Sequence, residues 1–325
     1  MMHRGDRRWL PSSAAKRLLS SLLAAAGLKV SRIRNTDSSD GNLVPVHADF
    51  FSALHDSMGG RPTRFRCPTE NIVDFTGFGF GKNQFHPFVA ASRITNNLGD
   101  AEAEAFLYAF YDRHKPKNAE ESFLDFRRSP AIFSQSDPHL YHLAPWVAFS
   151  PAELSAQVRR WVYKDNIEHG HPSPALARND FPMHGPVSSY KVHLEFNRLR
   201  RLAESIRFNG YDRSFGDCSF IVIRRGDDFR FIPFGGGYHR TATMAALDYE
   251  WIPGRILGGP MVFDSADVDY WSQVRMGIWT RTDALAYVDY LFDYNSRDWY
   301  LHNWDESERA AHSIFPVEEK IATHR

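Results

Sequence analysis

Cysteine is nearly missing from this chain: only Cys67 and Cys218 occur in 325 residues. Two thiols so far apart make neither a zinc framework nor a disulfide-rich scaffold. A reducing cytoplasm is the simplest setting, with a single disulfide left open. No apolar run reaches the ~18 residues that a membrane-spanning helix needs. Net charge is missing too. The 39 Lys and Arg residues balance 39 Asp and Glu, so total charge gives no reason to expect nucleic acid as a partner. Neither glycine-rich fingerprint is present: there is no G-x-x-x-x-G-K-[ST] Walker loop and no G-x-G-x-x-G after a first strand.

What is present is a globular composition. With 43% hydrophobic and 14% aromatic residues, the chain can bury a core as one decorated domain or as two. Residues 1–35 differ in character, with Arg4, Arg7, Arg8, Lys16, Arg17, Lys29, Arg32 and Arg34 against Asp6 alone. Ala15, Leu18, Leu19, Leu22, Leu23 and Ala26 share the spacing of one helix face. Such a basic amphipathic helix either lies on an anionic membrane surface through residues 10–34 or docks on its own protein. The polar run "NTDSSDG" (Asn35–Gly41) reads as a linker, which sets 1–42 apart.

Residues 43–184 read as a mostly helical segment. "DAEAEAFLYAFYDRH" (Asp100–His114) begins acidic and ends basic at helical spacing. In "SPAELSAQVRRWVYKDNIEHG", Ser150, Pro151 and Glu153 form a capping pattern for a helix reaching about His169 and stopping at Gly170. Glu168, His169 and His171 read as a solvated helix end rather than a metal site, because no third ligand lies nearby.

A unit spanning 185–264 follows. "SSYKVHLEF" reads as a strand or extended entry, and "NRLRRLAESIRFNGY" as a helix closed by Gly210. "CSFIVIRR" and "FRFIPF" around "GDD" predict a hairpin, where Asp227 and Asp228 serve the turn. Then comes "FGGGYHRTATMAAL", a helix from about His239 to Leu247, and a short strand in "WIPGRIL". In 265–325, "SADVDYWSQVRMG" and "RTDALAYVDYLFDYN" predict two helices, and the aromatic run "DYLFDYNSRDWYLHNW" predicts core packing.

Three consecutive glycines cost backbone entropy, so something must approach closely or the backbone must turn unusually. A strand that ends in glycines and opens into a helix presents unpaired N–H groups and a positive dipole end to an anion. Gly235, Gly236 and Gly237 supply bare backbone; His239 and Arg240 add donors and charge; Thr241 and Thr243 add hydroxyls. The residue types predict a phosphate cradle. Asp212 and Asp217, flanking the loop after Gly210, are candidate ligands for a metal beside it.

The stretch "FRFIPFGGGYHRTATMAALDYEWIPGRI", with "NRLRRLAESIRFNGY" before it, resembles the sulfiredoxin and ParB N-terminal domain superfamily over roughly residues 185–262. That resemblance implies an α+β fold: a ParB/sulfiredoxin-like mixed sheet with helices, here embellished by flanking helical segments. It also implies that Gly235, Gly236, Gly237, Tyr238, His239, Arg240 and Thr241 hold a nucleotide such as ATP. Sulfiredoxins place a cysteine just before the His-Arg pair, where this chain has Tyr238, which argues against sulfinate repair. ParB proteins add a helix-turn-helix, and none is evident after Asp264. The free-serine-kinase branch is closest in logic. It uses a glutamate ahead of the helix as base, a place held here by Glu195. It also carries an acid in D-G-H-H-R, where this chain has Gly236.

The resulting expectation is a cytoplasmic phosphotransferase, peripheral at the inner membrane face if the basic helix binds there. It would use ATP and Mg²⁺ on a hydroxyl of a small molecule or a glycan intermediate, as in polysaccharide biosynthesis. Glu195, His239 and Arg240 are its catalytic candidates. The alternative is a ParB-type module that binds nucleotide, changes partner affinity and transfers nothing; the turn fits both.

Overall fold

The computed structural model describes residues 46–57, 63–256 and 262–315; the basic segment, its expected helix and the linker lie outside the described residues. Among the described residues six strands form one mixed sheet: β1 (Val46–His47), β2 (Thr63–Pro68), β3 (Cys218–Arg225), β4 (Asp228–Pro233), β5 (Trp251–Ile256) and β6 (Val262–Asp264). The order is β1-β2-β5-β3-β4, with β6 pairing β3 in parallel beyond the end of β5. The helices are α1 (Phe50–Ser57), α2 (Pro87–Asn97), α3 (Asp100–Arg113), α4 (Pro151–Glu168), α5 (Pro174–Ala177), α6 (Ser189–Asn209), α7 (Tyr238–Ala246), α8 (Ser272–Arg275), α9 (Arg281–Asp293), α10 (Ser296–Asn303) and α11 (Glu306–His312).

The expected hairpin is present, with Arg225 opposite Asp228 across a two-residue Gly226-Asp227 turn whose glycine has φ 61°. Side chains alternate along β3. Phe220 and Val222 enter one core while Ile221 and Ile223 enter the other, so the sheet is covered on both faces. On the first face lie α2, α3, α6 and α7; the second is filled from α4, α9 and residues 119–146. Ser150 caps α4 in a complete capping box with Glu153, as the sequence predicts. Both cysteines are buried free thiols.

Three expectations need correction. "SSYKVHLEF" is not extended: Ser188 caps a single helix that runs through it to Asn209, burying Val192, Phe196, Leu199, Ala203 and Ile206 at helical spacing. The boundary at residue 184 does not divide the fold, because β2, from the segment expected to be mostly helical, pairs with β5 along its whole length. "SADVDYWSQVRMG" is not one helix but a 3₁₀ stretch, Ser265–Tyr270, followed by short α8.

Candidate functional site

A cavity of about 1530 Å³ lies between α4 and α6, with the glycine turn and the first turn of α7 in its wall. All three glycines have positive φ: 73°, 139° and 92° for Gly235, Gly236 and Gly237. They differ in what surrounds them. A Cβ on Gly237 would stand 2.7 Å from Cys218 Sγ, so this glycine lets α7 start against β3. A Cβ on Gly235 or Gly236 would meet nothing within 4 Å. Those two residues are exposed and line the cavity. Inside α7 the N–H of Thr241 returns to the Gly237 carbonyl at 2.8 Å, and the N–H groups of the preceding turn are the donors that a helix start leaves to other partners. Lys164, Arg198 and Arg201 line the cavity too, with Arg198 paired to Asp165 and Lys164 to Glu168.

Thr241 and Thr243 do not join this seat. Both are fully buried and absent from the cavity wall. Arg240 lines the cavity, but its guanidinium donates to the Gly216 carbonyl and lies 3.4 Å from the Tyr211 hydroxyl, tying α7 to the 211–216 loop. Asp212 caps the 3₁₀ turn Arg213–Phe215 through the Ser214 N–H. Asp217 pairs with Arg64 at 2.9 Å. The two acids expected to flank a metal are therefore committed separately, and no metal-holding group of His, Cys, Asp or Glu occurs among the described residues. His171 is no solvated helix end: it is buried, donates from Nε2 to Asp180 at 2.8 Å and accepts the Ser173 N–H at Nδ1.

Glu195 sits two turns inside α6 rather than ahead of it, and it is completely buried. One oxygen takes the Lys191 ammonium and the other takes His239 Nε2, with Arg198 3.6 Å away. Lys191 also donates to Asn166 Oδ1 at 2.7 Å, and Arg198 grips Asp165 with two bonds of 2.7 and 3.2 Å. Burial alone would raise the Glu195 pKa; Lys191, His239 and Arg198 overcome that and hold it well below the ordinary carboxylate range. Burial pushes the His239 imidazole down, so the pair is a carboxylate and a neutral ring donating from Nε2. That ring stacks on Phe88 at 5.1 Å. Glu195 thus fixes the orientation of His239, at the edge of the seat. It presents no unengaged oxygen to an acceptor.

A second buried acid, Asp74, lines the same cavity and was not singled out by the sequence. The Val73 N–H bonds to the Phe231 carbonyl at 3.0 Å, which pins this loop beside β4. Asp74 Oδ1 accepts from the Thr76 N–H, the Thr76 hydroxyl and the Phe78 N–H at 2.8–2.9 Å. Its Oδ2 faces the Tyr238 hydroxyl at 3.4 Å. Burial raises its pKa to about 6, restrained by the bonds from Thr76, Phe78 and Gly77. The only local sign was an Asp opening a glycine-rich turn, a pattern that backbone geometry explains equally well.

No protein-family model, curated protein or solved structure matches the chain.

Proposed function

We propose that this chain is an ATP-dependent phosphotransferase acting on a hydroxyl of a small molecule or glycan intermediate, built on a ParB/sulfiredoxin-like domain. The observation that carries the reading is the pair Gly235 and Gly236, left-handed and unobstructed, opening from β4 onto the start of α7 within a large cavity. A triphosphate seated there would meet bare backbone and a helix N-terminus, which suits its charge. The succession of α6, the β3–β4 hairpin, the glycine turn, α7 and β5 supports the fold assignment. Phosphoryl transfer asks the protein mainly to hold the triphosphate and place an acceptor oxygen in line, and the cavity has room for both. The described residues offer no ligand set for Mg²⁺, so no step is assigned to a protein-held ion.

One observation favours the second reading, a nucleotide-dependent binding module. Glu195, expected as the base, has both oxygens bound within the protein. The deciding experiment incubates the protein with γ-labelled ATP as its Mg²⁺ salt and a panel of sugars and amino acids. Label on an acceptor, lost in Gly236→Ala and reduced about a hundredfold or more in Arg240→Ala, supports a kinase. Tight ATP binding with neither ADP release nor label on any acceptor supports the module, and no binding by the wild type sinks both.

A further inference from the structure

Asp74 and Tyr238 stand 164 positions apart in sequence and meet in the cavity wall, and the hydrogen bonds around them narrow where the protons sit. His86 is buried and caps α2: its Nδ1 accepts the Phe88 N–H at 3.1 Å. Burial holds His86 well below the ordinary imidazole pKa, so it is neutral. With Nδ1 accepting, the single ring proton lies on Nε2, which donates to the Tyr238 hydroxyl oxygen at 2.8 Å. The tyrosine proton is then left for Met183 Sδ at 3.0 Å or Asp74 Oδ2 at 3.4 Å. Oδ1 is saturated by three donors of its own loop. Oδ2 keeps lone-pair capacity for a substrate.

We propose that Asp74 is the general base of this site: its Oδ2 takes the proton of the acceptor hydroxyl while Tyr238 and His86 position it. This rests on the phosphotransferase reading. The acceptor oxygen forms a bond to the γ-phosphorus of ATP, the bond from that phosphorus to the β,γ-bridging oxygen breaks, ADP leaves with the electron pair, and the acceptor's proton passes to Asp74. Tyr238 is the first residue of α7, next to Gly237, and its hydroxyl lies 3.4 Å from Asp74 Oδ2, so its side chain links the turn to the carboxylate. An acceptor beside the tyrosine would touch both.

The surroundings suit a base that works near neutral pH. The titratable groups that face Asp74 are Tyr238 from α7, Tyr141 from the 138–142 turn, and Tyr287 and Tyr290 from α9. Burial raises all four phenols, so none ionises near neutrality. Tyr287 and Tyr290 bond the carbonyls of Phe75 and Thr76 at 2.6 and 2.7 Å and hold the Asp74 loop rigid.

The test uses the full chain with Mg·ATP and water as acceptor, and measures ATP binding separately by titration. The wild-type rate should rise with pH through a midpoint near 6. Asp74→Asn, which keeps the Oδ1 acceptor, should bind ATP within about twofold of wild type and lose about a hundredfold or more in turnover. A melt at pH 7 confirms that this variant is folded. Turnover within about threefold of wild type would overturn the assignment. Wild type that binds ATP but transfers its γ-phosphate neither to water nor to any acceptor of the panel also overturns Asp74 as base while the phosphate seat stands; failure to bind removes both. Should Asp74→Asn not fold, the wild-type pH profile carries the test: a turnover with no midpoint near 6 overturns the proposal.

Discussion

Glu195 and Asp74 are both buried carboxylates beside one cavity, yet their surroundings drive them in opposite directions. Glu195 lies among Lys191, His239 and Arg198 and stays ionised at any ordinary pH. Asp74 lies among phenols and backbone donors, and burial lifts it to about 6. Burial alone therefore does not decide what an acid can do; the sign and number of its partners do. A carboxylate with both oxygens engaged, beside Lys191 and Arg198, is a structural anchor. One held by neutral donors on a single oxygen can exchange a proton.

The comparison can be broken most sharply at the ionised wall. Glu195→Gln should cost about 3–5 kcal/mol in denaturant unfolding, because Lys191 is left buried without its counter-charge. The double variant Lys191→Met, Glu195→Leu should recover most of that; a double variant as unstable as the single would show that packing, and not charge, anchors α6. Acidity separates the two acids further. The Glu195 contribution is whole above the unfolded carboxyl value of about 4.3 and is lost as pH falls through its depressed folded value. Asp74 acts with the opposite sign. Its folded value exceeds the unfolded one, so stability falls as pH rises from about 4 towards about 6, and Asp74→Asn should remove that slope.

The next effect concerns the turn between the two acids. Gly237→Ala should destabilise by roughly 3 kcal/mol, since the new methyl meets Cys218 at a positive φ. Gly236→Ala should cost only about 1–2 kcal/mol of strain but weaken ATP binding, its methyl pointing into open space. Equal effects of both on melting and on ATP titration would erase the distinction between packing glycine and seat glycine. The smallest effect expected is from Tyr238→Phe, which should raise the Asp74 midpoint by roughly half a pH unit in a turnover profile.

Much of the local structure was legible because its causes are local. The Ser150–Glu153 capping box, the Gly226-Asp227 hairpin, the glycine stop at Gly210 and the helix after Gly237 each depend on a few neighbouring residues. The glycine turn was legible for the same reason, and Gly235, Gly236, Tyr238, His239 and Arg240 do line one cavity. The misreading of 188–196 has a physical cause. Tyr190, Val192, Leu194 and Phe196 alternate as in a strand, but Val192 and Phe196 also open an i, i+4, i+7 face continued by Leu199. The Ser188 cap and the length of that face decide for helix.

By itself, then, the sequence determined the turn, its helix and the hairpin, where chain geometry within a few residues sets the outcome. Tertiary structure alone decided which acid stands free. Asp74 reaches Tyr238 across 164 positions of sequence, and Glu195 meets His239 across 44. Sequence spacing carries no information about such meetings. The proton affinity of a buried carboxylate depends on whatever packs around it, and only the folded chain brings those partners together.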